Sequence, residues 1–549
     1  MESARAVAGR QRALTPAVNA PAIPKRATVS ATASGVRTGT VRAMPDSSLA
    51  SAAGATTVDR GRDADSRQGR PAGSARALLT GDRILLGIVL AAAALRFATL
   101  GTQSLWADEG FTAKIAGHAL GTAASQVPKT ESTPPLYYAL AWIWAHLFGS
   151  SAYALRSLSA LLGCITVVAV YWAGVVIGSR KVALAAAALT AVSPIMVWYS
   201  QEARAYALFV LLSTLALGFF VRALRQYRRA WIVGWAACSA AALATHYFAI
   251  FPLVVEAAWL LLRVRHRREL LTVLALPAVV GAALLPLVIY QHAHVPRPWT
   301  SSFTVADQAK AVAQSFLVGI TWTSIIHRVG VAVLAVLAAA AVVALARSGN
   351  RQERRSGAQL AGLVVVTVGL PVVISLIGTN YLAPRNVLYA WPVLAVLVAL
   401  GACRQAAGRI SAGALLAGLI ISLAIVIAVD ATPRLQRADW SALLAPLRSG
   451  TQGRAVVLVD GFDNSPVVEY YLPALRKAAG PTPVHEVDVI TTSQQVPSAA
   501  AALPVSGLTP AGTEVRGGIA VSRFVAPASV AMPSSPPPGS PAAFLVAPR

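Results

Sequence analysis

Hydrophobic residues in this chain come in long uninterrupted runs, not at the spacing of a soluble core. The first run covers about 84–100. Others follow at about 153–178, 182–199, 204–221, 230–246, 247–262, 270–290, 329–346, 358–378, 384–402 and 411–429. Runs of about 20 apolar residues match the roughly 30 Å hydrocarbon core of a bilayer. The pattern predicts an all-α polytopic membrane protein of about eleven transmembrane helices. One further apolar run, Pro135 to Phe148, decides the topology. As a helix it reaches only about 21 Å. Its Tyr137, Tyr138, Trp142 and Trp144 suit an interfacial belt, so it reads as a helix lying in the membrane surface.

The flanks have a different character. Residues 1–81 are rich in Ala, Ser, Thr, Gly, Pro and Arg without apolar periodicity, which predicts a disordered basic tail. After the membrane region (82–430), residues 431–526 read as a small extracytoplasmic α/β domain. Its expected elements are a strand at 454–460, a helix at 466–479 and strands at 487–490 and 518–525. From 527 to 549 the Pro, Ser and Ala content predicts a second disordered tail.

Composition agrees with the membrane reading: 56% of residues are hydrophobic and 13% charged, against about 25% charged in soluble domains. The net charge of +25 does not point to nucleic acid, because outside the N-terminal tail most Arg and Lys cluster in short loops between apolar runs. Arg180/Lys181, Arg222 to Arg229, Arg263 to Arg268, Arg347 to Arg355 and Arg404/Arg409 all fall on one side if 135–148 lies flat. By the positive-inside bias that side is cytoplasmic. The N-terminus is then inside and the C-terminus outside a plasma membrane. Cys164, Cys238 and Cys403 lie in or beside apolar runs, without the spacing of a disulfide framework or a zinc site.

The same topology gathers the polar residues hardest to explain by packing on the outer face. Asp108 and Glu109 follow the first span, and Glu131, Tyr137 and Tyr138 follow in the same loop. Gln201, Glu202, Arg204 and Tyr206 form the next outer turn, His246 the third, and Arg385 a later one. Acids and bases at one membrane depth suggest a shared cavity. Each also has a plainer reading: Arg204 and Arg385 as snorkelling anchors, Glu202 as the local partner of Arg204, and His246 as a hydrogen-bonded helix end. Arg96 and Arg156 read as snorkelling or lipid-facing, and Glu256, in mid-span, as a buried protonated acid.

Taken in order, Trp106-x-Asp-Glu-x-Phe111, Pro134-Pro-Leu-Tyr-Tyr138 and Tyr199-Ser-Gln-Glu-Ala-Arg-x-Tyr-Ala207 resemble the family 39-type glycosyltransferases of the GT-C superfamily. These are related to the protein O-mannosyltransferases and aminoarabinose transferases. The resemblance covers about 84–480 and implies a sugar transferase using a polyprenyl-phosphate donor, with a protein, lipid or glycan acceptor. It places Asp108 at the catalytic acid position, with Glu109 its neighbour, and Glu202 beside the donor phosphate. Arg204 and Arg385 are then phosphate candidates, and Gln201, Tyr137, Tyr138 and Tyr206 line the donor site. Asn386 stands where the family has Tyr, and Thr133 where many members have His. A divalent metal is therefore left open, with Glu131 and His246 as substitute ligands. The competing readings are a transporter or flippase of a lipid-linked sugar, which would favour internal repeats, and a non-catalytic scaffold. Ala- and Arg-heavy usage fits a bacterial cell-envelope role.

Overall fold

The computed structural model describes residues 72–294, 303–320, 325–448, 453–459, 465–477, 481–492, 506–516, 519–533 and 542–546. The chain divides into Met1–Gly69 and Arg70–Arg549. The first unit, which holds most of the expected disordered tail, lies outside the described residues. The rest of that expectation is corrected at its edge. Helix α1 spans Ala72–Phe97, because Ala, Arg and Leu at 75–79 are strong helix formers that extend the apolar run backwards.

Between α1 and the next long helix lie three short ones: α2 (Ala107–Ala116), α3 (Leu120–Thr130) and α4 (Leu136–Phe148). Then follow α5 (Ala152–Ile177), α6 (Arg180–Val192), α7 (Pro194–Ser200), α8 (Tyr206–Arg225), α9 (Arg229–Thr245) and α10 (Ile250–Arg263). The membrane part closes with α11 (Arg267–His294), α12 (Val305–Val318), α13 (Ile325–Ser348), α14 (Arg351–Ile377), α15 (Ala390–Ala402) and α16 (Arg409–Ala431).

Among the described residues, 6 of these helices are long and apolar enough to cross a membrane: α5, α8, α11, α13, α14 and α16. The bent pair α6 and α7 makes up to 7. This is fewer than the eleven expected. The difference lies in segments such as α9 (17 residues), α10 (14) and α15 (13), whose apolarity matches a span but whose helices are short. Within α10, Glu256 is buried and accepts a hydrogen bond from Trp235 Nε1 at 2.7 Å.

The run read as one span at 182–199 is broken by 61° between α6 and α7. Pro194 has no N–H and disfavours a helical residue before it, and Ser193 is extended at φ −62°, ψ 123°. The break frees the carbonyls of Thr190 and Ala191. Arg96 fills that need: its Nη2 donates to Thr190 O at 3.2 Å and its Nη1 to Ala191 O at 3.0 Å. Its Nε reaches Ser200 Oγ at 3.2 Å. Arg96 is wholly buried, so it repairs the kink and does not snorkel.

Beyond α16 come α17 (Trp440–Leu444), β1 (Arg454–Val459), α18 (Ser465–Tyr471), β2 (Arg476–Lys477), β3 (Thr482–Thr492), β4 (Thr509–Arg516), β5 (Ile519–Met532) and β6 (Ala542–Val546). They form a sheet of order β2-β6-β1-β3-β5-β4. Among the described residues, only β1 and β3 pair in parallel. Within the second tail expected to be disordered, residues 527–532 and 542–546 are instead strand. β5 runs to Met532, and the apolar run Ala542-Ala-Phe-Leu-Val546 is an interior strand against β1. One face of the sheet (Val456, Leu458, Ile490, Val521, Leu545) shares a core with Leu105 of the segment after α1, with Ala113 of α2, and with Val467 and Val468 of α18. The soluble domain is therefore packed onto the segment that carries Asp108 and Glu109.

Candidate active site

Glu109 is fully buried, on the first turn of α2. Its Oε1 accepts from Arg156 Nε at 2.7 Å and from the backbone N–H of Ala203 at 2.8 Å, and its Oε2 from Arg156 Nη2. The N–H of Trp106 adds a longer bond at 3.4 Å. Burial works against the charge of Glu109, and Arg156 more than offsets it, holding the carboxyl below its usual range. Arg156 also donates to the carbonyls of Leu100 (3.2 Å), Gln103 (2.7 Å) and Ser104 (2.8 Å). The pair joins α2, α5 and the turn before α8. Both oxygens of Glu109 are thus met by protein donors, and Arg156, buried and hydrogen-bonded on all sides, does not snorkel.

A second buried fork lies beside it. Arg204 grips Glu131 with Nη1–Oε1 at 2.9 Å and Nη2–Oε2 at 2.7 Å. Tyr138 donates to the same Glu131 Oε2 at 2.6 Å, and its hydroxyl is 2.8 Å from Thr133 Oγ1. Arg204 Nη1 further donates to the carbonyl of Asp108 at 3.0 Å. The partner of Arg204 is thus Glu131, not the adjacent Glu202, and both oxygens of Glu131 are occupied.

Glu202 instead pairs with Arg437, Oε2 to Nη2 at 3.1 Å, in the segment between α16 and α17. Arg437 lies over the Trp198 ring at 4.1 Å and donates to the Trp198 carbonyl at 3.3 Å. The other oxygen of Glu202 is buried with no hydrogen-bond partner among the described residues. Burial, with Glu109 and Asp108 nearby, raises Glu202 from the usual 4.5 to about 7, against the opposing pull of Arg437 and Arg385. The folded state then binds more protons than the unfolded state between those two values, so this contribution to stability falls as pH rises through that window. Glu202→Gln removes the titration. Relative to the wild type, its thermal midpoint is expected to rise progressively from pH 5 to pH 8. A pH-independent offset between the two proteins would show that Glu202 does not titrate there.

Over these buried pairs Asp108 and Arg385 meet, Oδ2 to Nη1 at 3.0 Å. Their side chains are 28% and 23% exposed, whereas those of Glu109, Arg156, Glu131, Arg204, Glu202 and Arg437 are at most 7% exposed. Asp108 is thus the accessible acid of the cluster. Arg385 comes from the 3-10 turn Pro384–Val387 ahead of α15 and faces the Tyr206 ring at 5.9 Å. Tyr206 is buried edge-to-face against Tyr199 at 5.1 Å. Asp108 is fixed from below by α18. A Cβ on the neighbouring helix residue Gly110 would come within 2.7 Å of the Val467 backbone nitrogen, so α2 docks at Gly110 without room for a side chain.

The remaining expected residues are buried among protein partners. Tyr137 is fully buried against Ser159, 3.1 Å between hydroxyls, and Tyr138 is buried as well. Gln201 donates to the Leu95 carbonyl and to Thr99 Oγ1, both at 3.0 Å, tying its turn to α1. His246 is buried, accepts from the Phe248 N–H at 3.2 Å and stacks on Phe209 at 4.6 Å. Glu131 and His246 do not fit a metal site, since the carboxylate of Glu131 is spent on Arg204 and Tyr138. Among the described residues no three His, Cys, Asp or Glu side chains converge to hold an ion. Arg437 and Tyr199 were not singled out from sequence. Arg437 carried a usable signal, because a basic residue just after the last apolar run stands on the side where the charge bias disfavours it.

The helical architecture is that of ArnT from Cupriavidus metallidurans. Its apo structure superposes with a TM-score of 0.53 at 13% identity, covering 82% of this chain and 98% of that one. The structure of the same protein bound to undecaprenyl phosphate gives 0.51 at 13% identity, again covering 82% and 98%. The chain is therefore a polytopic membrane protein of the GT-C glycosyltransferase fold. In sequence, residues 132–290 match the family described as dolichyl-phosphate-mannose-protein mannosyltransferase. No curated protein sequence matches the chain. The likeness first carried by the Trp-x-Asp-Glu-x-Phe and Pro-Pro-Leu-Tyr-Tyr motifs is borne out by the shared fold and by this partial family match.

Proposed function

We propose that this protein moves a sugar, mannose or a similar one, from a polyprenyl-phosphate donor to a hydroxyl acceptor on the extracytoplasmic face. The observation that carries the reading is the accessible Asp108–Arg385 pair, held over buried charges in a fold shared with a protein that binds undecaprenyl phosphate. In the reaction the acceptor hydroxyl oxygen forms a bond to the anomeric carbon while the bond from that carbon to the donor phosphate oxygen breaks. Asp108 takes the hydroxyl proton. The departing lipid phosphate gains negative charge, which the Arg385 guanidinium meets. Attack from the face opposite the phosphate corresponds to single displacement, with an acceptor hydroxyl where an inverting hydrolase holds water. Glu202 lies behind this pair and tunes its field through Arg437. The clustering of basic loops supports a topology with Asp108 and the C-terminus outside and the N-terminus in the cytoplasm.

The test is the purified protein in lipid nanodiscs or vesicles with labelled polyprenyl-phosphate sugars and candidate protein, lipid and glycan acceptors. The expected result is free polyprenyl phosphate together with sugar on an acceptor. Passage of the intact lipid-linked sugar across the bilayer, without cleavage, would replace the transferase by a flippase.

A further inference from the structure

A sizeable cavity lies far from the Asp108 cluster. Arg156 and Ile177 occupy opposite ends of α5, about 30 Å apart at 1.5 Å per residue, close to the thickness of a bilayer core. At the Ile177 end, α6, α14, α15 and α16 leave a space of about 690 Å³. This is within the usual range for a small-molecule site.

Its lining divides into two halves. One half is polar and cationic, with Lys181, Arg404 and Ser356. Lys181 is exposed and makes no hydrogen bond or ion pair among the described residues. Arg404 is held by Nη1 on the Gly401 carbonyl (2.9 Å) and Ser411 Oγ (3.0 Å), and its Nε has no partner. The single acid in the lining, Glu353, is already committed: Oε2 accepts from the Asn350 N–H and Oε1 from the Gln405 N–H, each at 2.8 Å. The other half is apolar and runs up α16 through Leu415, Leu416 and Leu419. Leu416 is 58% exposed, so this wall continues into the outward face of the helix.

We propose that this cavity binds an anionic phospholipid from the leaflet on the side opposite the Asp108 cluster, its phosphate between Lys181 and Arg404 and an acyl chain along Leu415–Leu419. Charge complementarity favours an anion, since Lys181 and Arg404 outnumber the one acid, Glu353, whose oxygens each already accept a backbone N–H. The leucine wall favours a ligand with a hydrocarbon chain over a soluble anion. The apolar half opens where bilayer lipid lies against α16.

The experiment uses the full-length protein purified in detergent, with bound lipid counted by native mass spectrometry after addition of phosphatidylglycerol or phosphatidylcholine. Phosphatidylglycerol is expected to bind about tenfold more tightly, and Lys181→Gln to weaken it about fivefold, as one lost cation near an anionic headgroup implies. Leu416→Trp, which fills the apolar half, is expected to lower binding of both lipids. Arg351→Gln, on the same basic face but outside the cavity, is expected to change neither. Equal binding of the two lipids, or no effect of Lys181→Gln, would overturn the assignment. Displacement of phosphatidylglycerol by equimolar glycerol phosphate would instead mark a site for soluble anions and overturn the lipid.

Discussion

Asp108→Asn is expected to lower the rate of sugar transfer by about 10²–10⁴-fold, the usual contribution of a positioned general base. The substitution keeps the shape of the side chain and removes its charge and its ability to accept a proton. Its effect on folding is expected to be small. The Asp108–Arg385 pair is partly exposed at both ends, and such pairs contribute about 0–1 kcal/mol. The contact that does position this residue, its carbonyl accepting from Arg204 Nη1, belongs to the backbone and survives the change. The loss should therefore appear in turnover, with the thermal midpoint retained. Donor binding should hold or tighten, because Arg385 loses its competing carboxylate and keeps its full charge for the phosphate. Single-turnover assays with saturating labelled donor separate the two effects. Transfer within twofold of wild type would remove Asp108 from the chemistry, and loss of donor binding with normal turnover would make it a binding residue.

The fold class was legible because a span announces itself by length and apolarity. The expectation that the acids lie on the outer face came from the distribution of Arg and Lys. Breaks inside apolar runs were harder. Ser193–Pro194 was in plain view within 182–199, yet its meaning depended on Arg96, nearly a hundred positions earlier, being available to satisfy Thr190 and Ala191. The short helices α9, α10 and α15 carry the composition of spans, and only packing decides how far such a helix runs. In the site, residue types were found and partners were not. Glu202 and Arg204, two apart, suggested a local pair, whereas the structure sends one to Arg437 and the other to Glu131. A bidentate pair needs two side chains facing each other across different elements, which spacing along one chain does not report. The strand at 542–546 failed for the same reason: five apolar residues after a Pro/Ser-rich stretch become a strand only because β1 offers a free edge.

The second large effect concerns that buried scaffold. Arg156→Met is expected to destabilise the protein by about 3–5 kcal/mol, the cost of leaving one member of a buried ion pair without its partner. Glu109 is fully buried, and its remaining contacts are backbone N–H groups that cannot neutralise it. The carbonyls of Leu100, Gln103 and Ser104 lose their donor at the same time, each a buried acceptor that adds to the loss. Arg156→Lys should recover only part. A single ammonium cannot reproduce the planar fork that holds both carboxylate oxygens and three carbonyls. The double variant Glu109→Leu/Arg156→Met sharpens the argument. In a simple buried pair, apolar replacement of both partners is often neutral or stabilising. Here it removes the stranded charge but still orphans the three carbonyls and the N–H of Ala203, so recovery should be incomplete. The measurement is a double-mutant cycle of thermal unfolding on the purified protein, with the difference from additivity giving the coupling of the pair. Full recovery in the double variant would reduce Arg156 to a counter-ion. Incomplete recovery would identify it as the group that closes the loop bearing Asp108, in which case transfer should fall in every variant that leaves those carbonyls unpaired, even below the unfolding temperature.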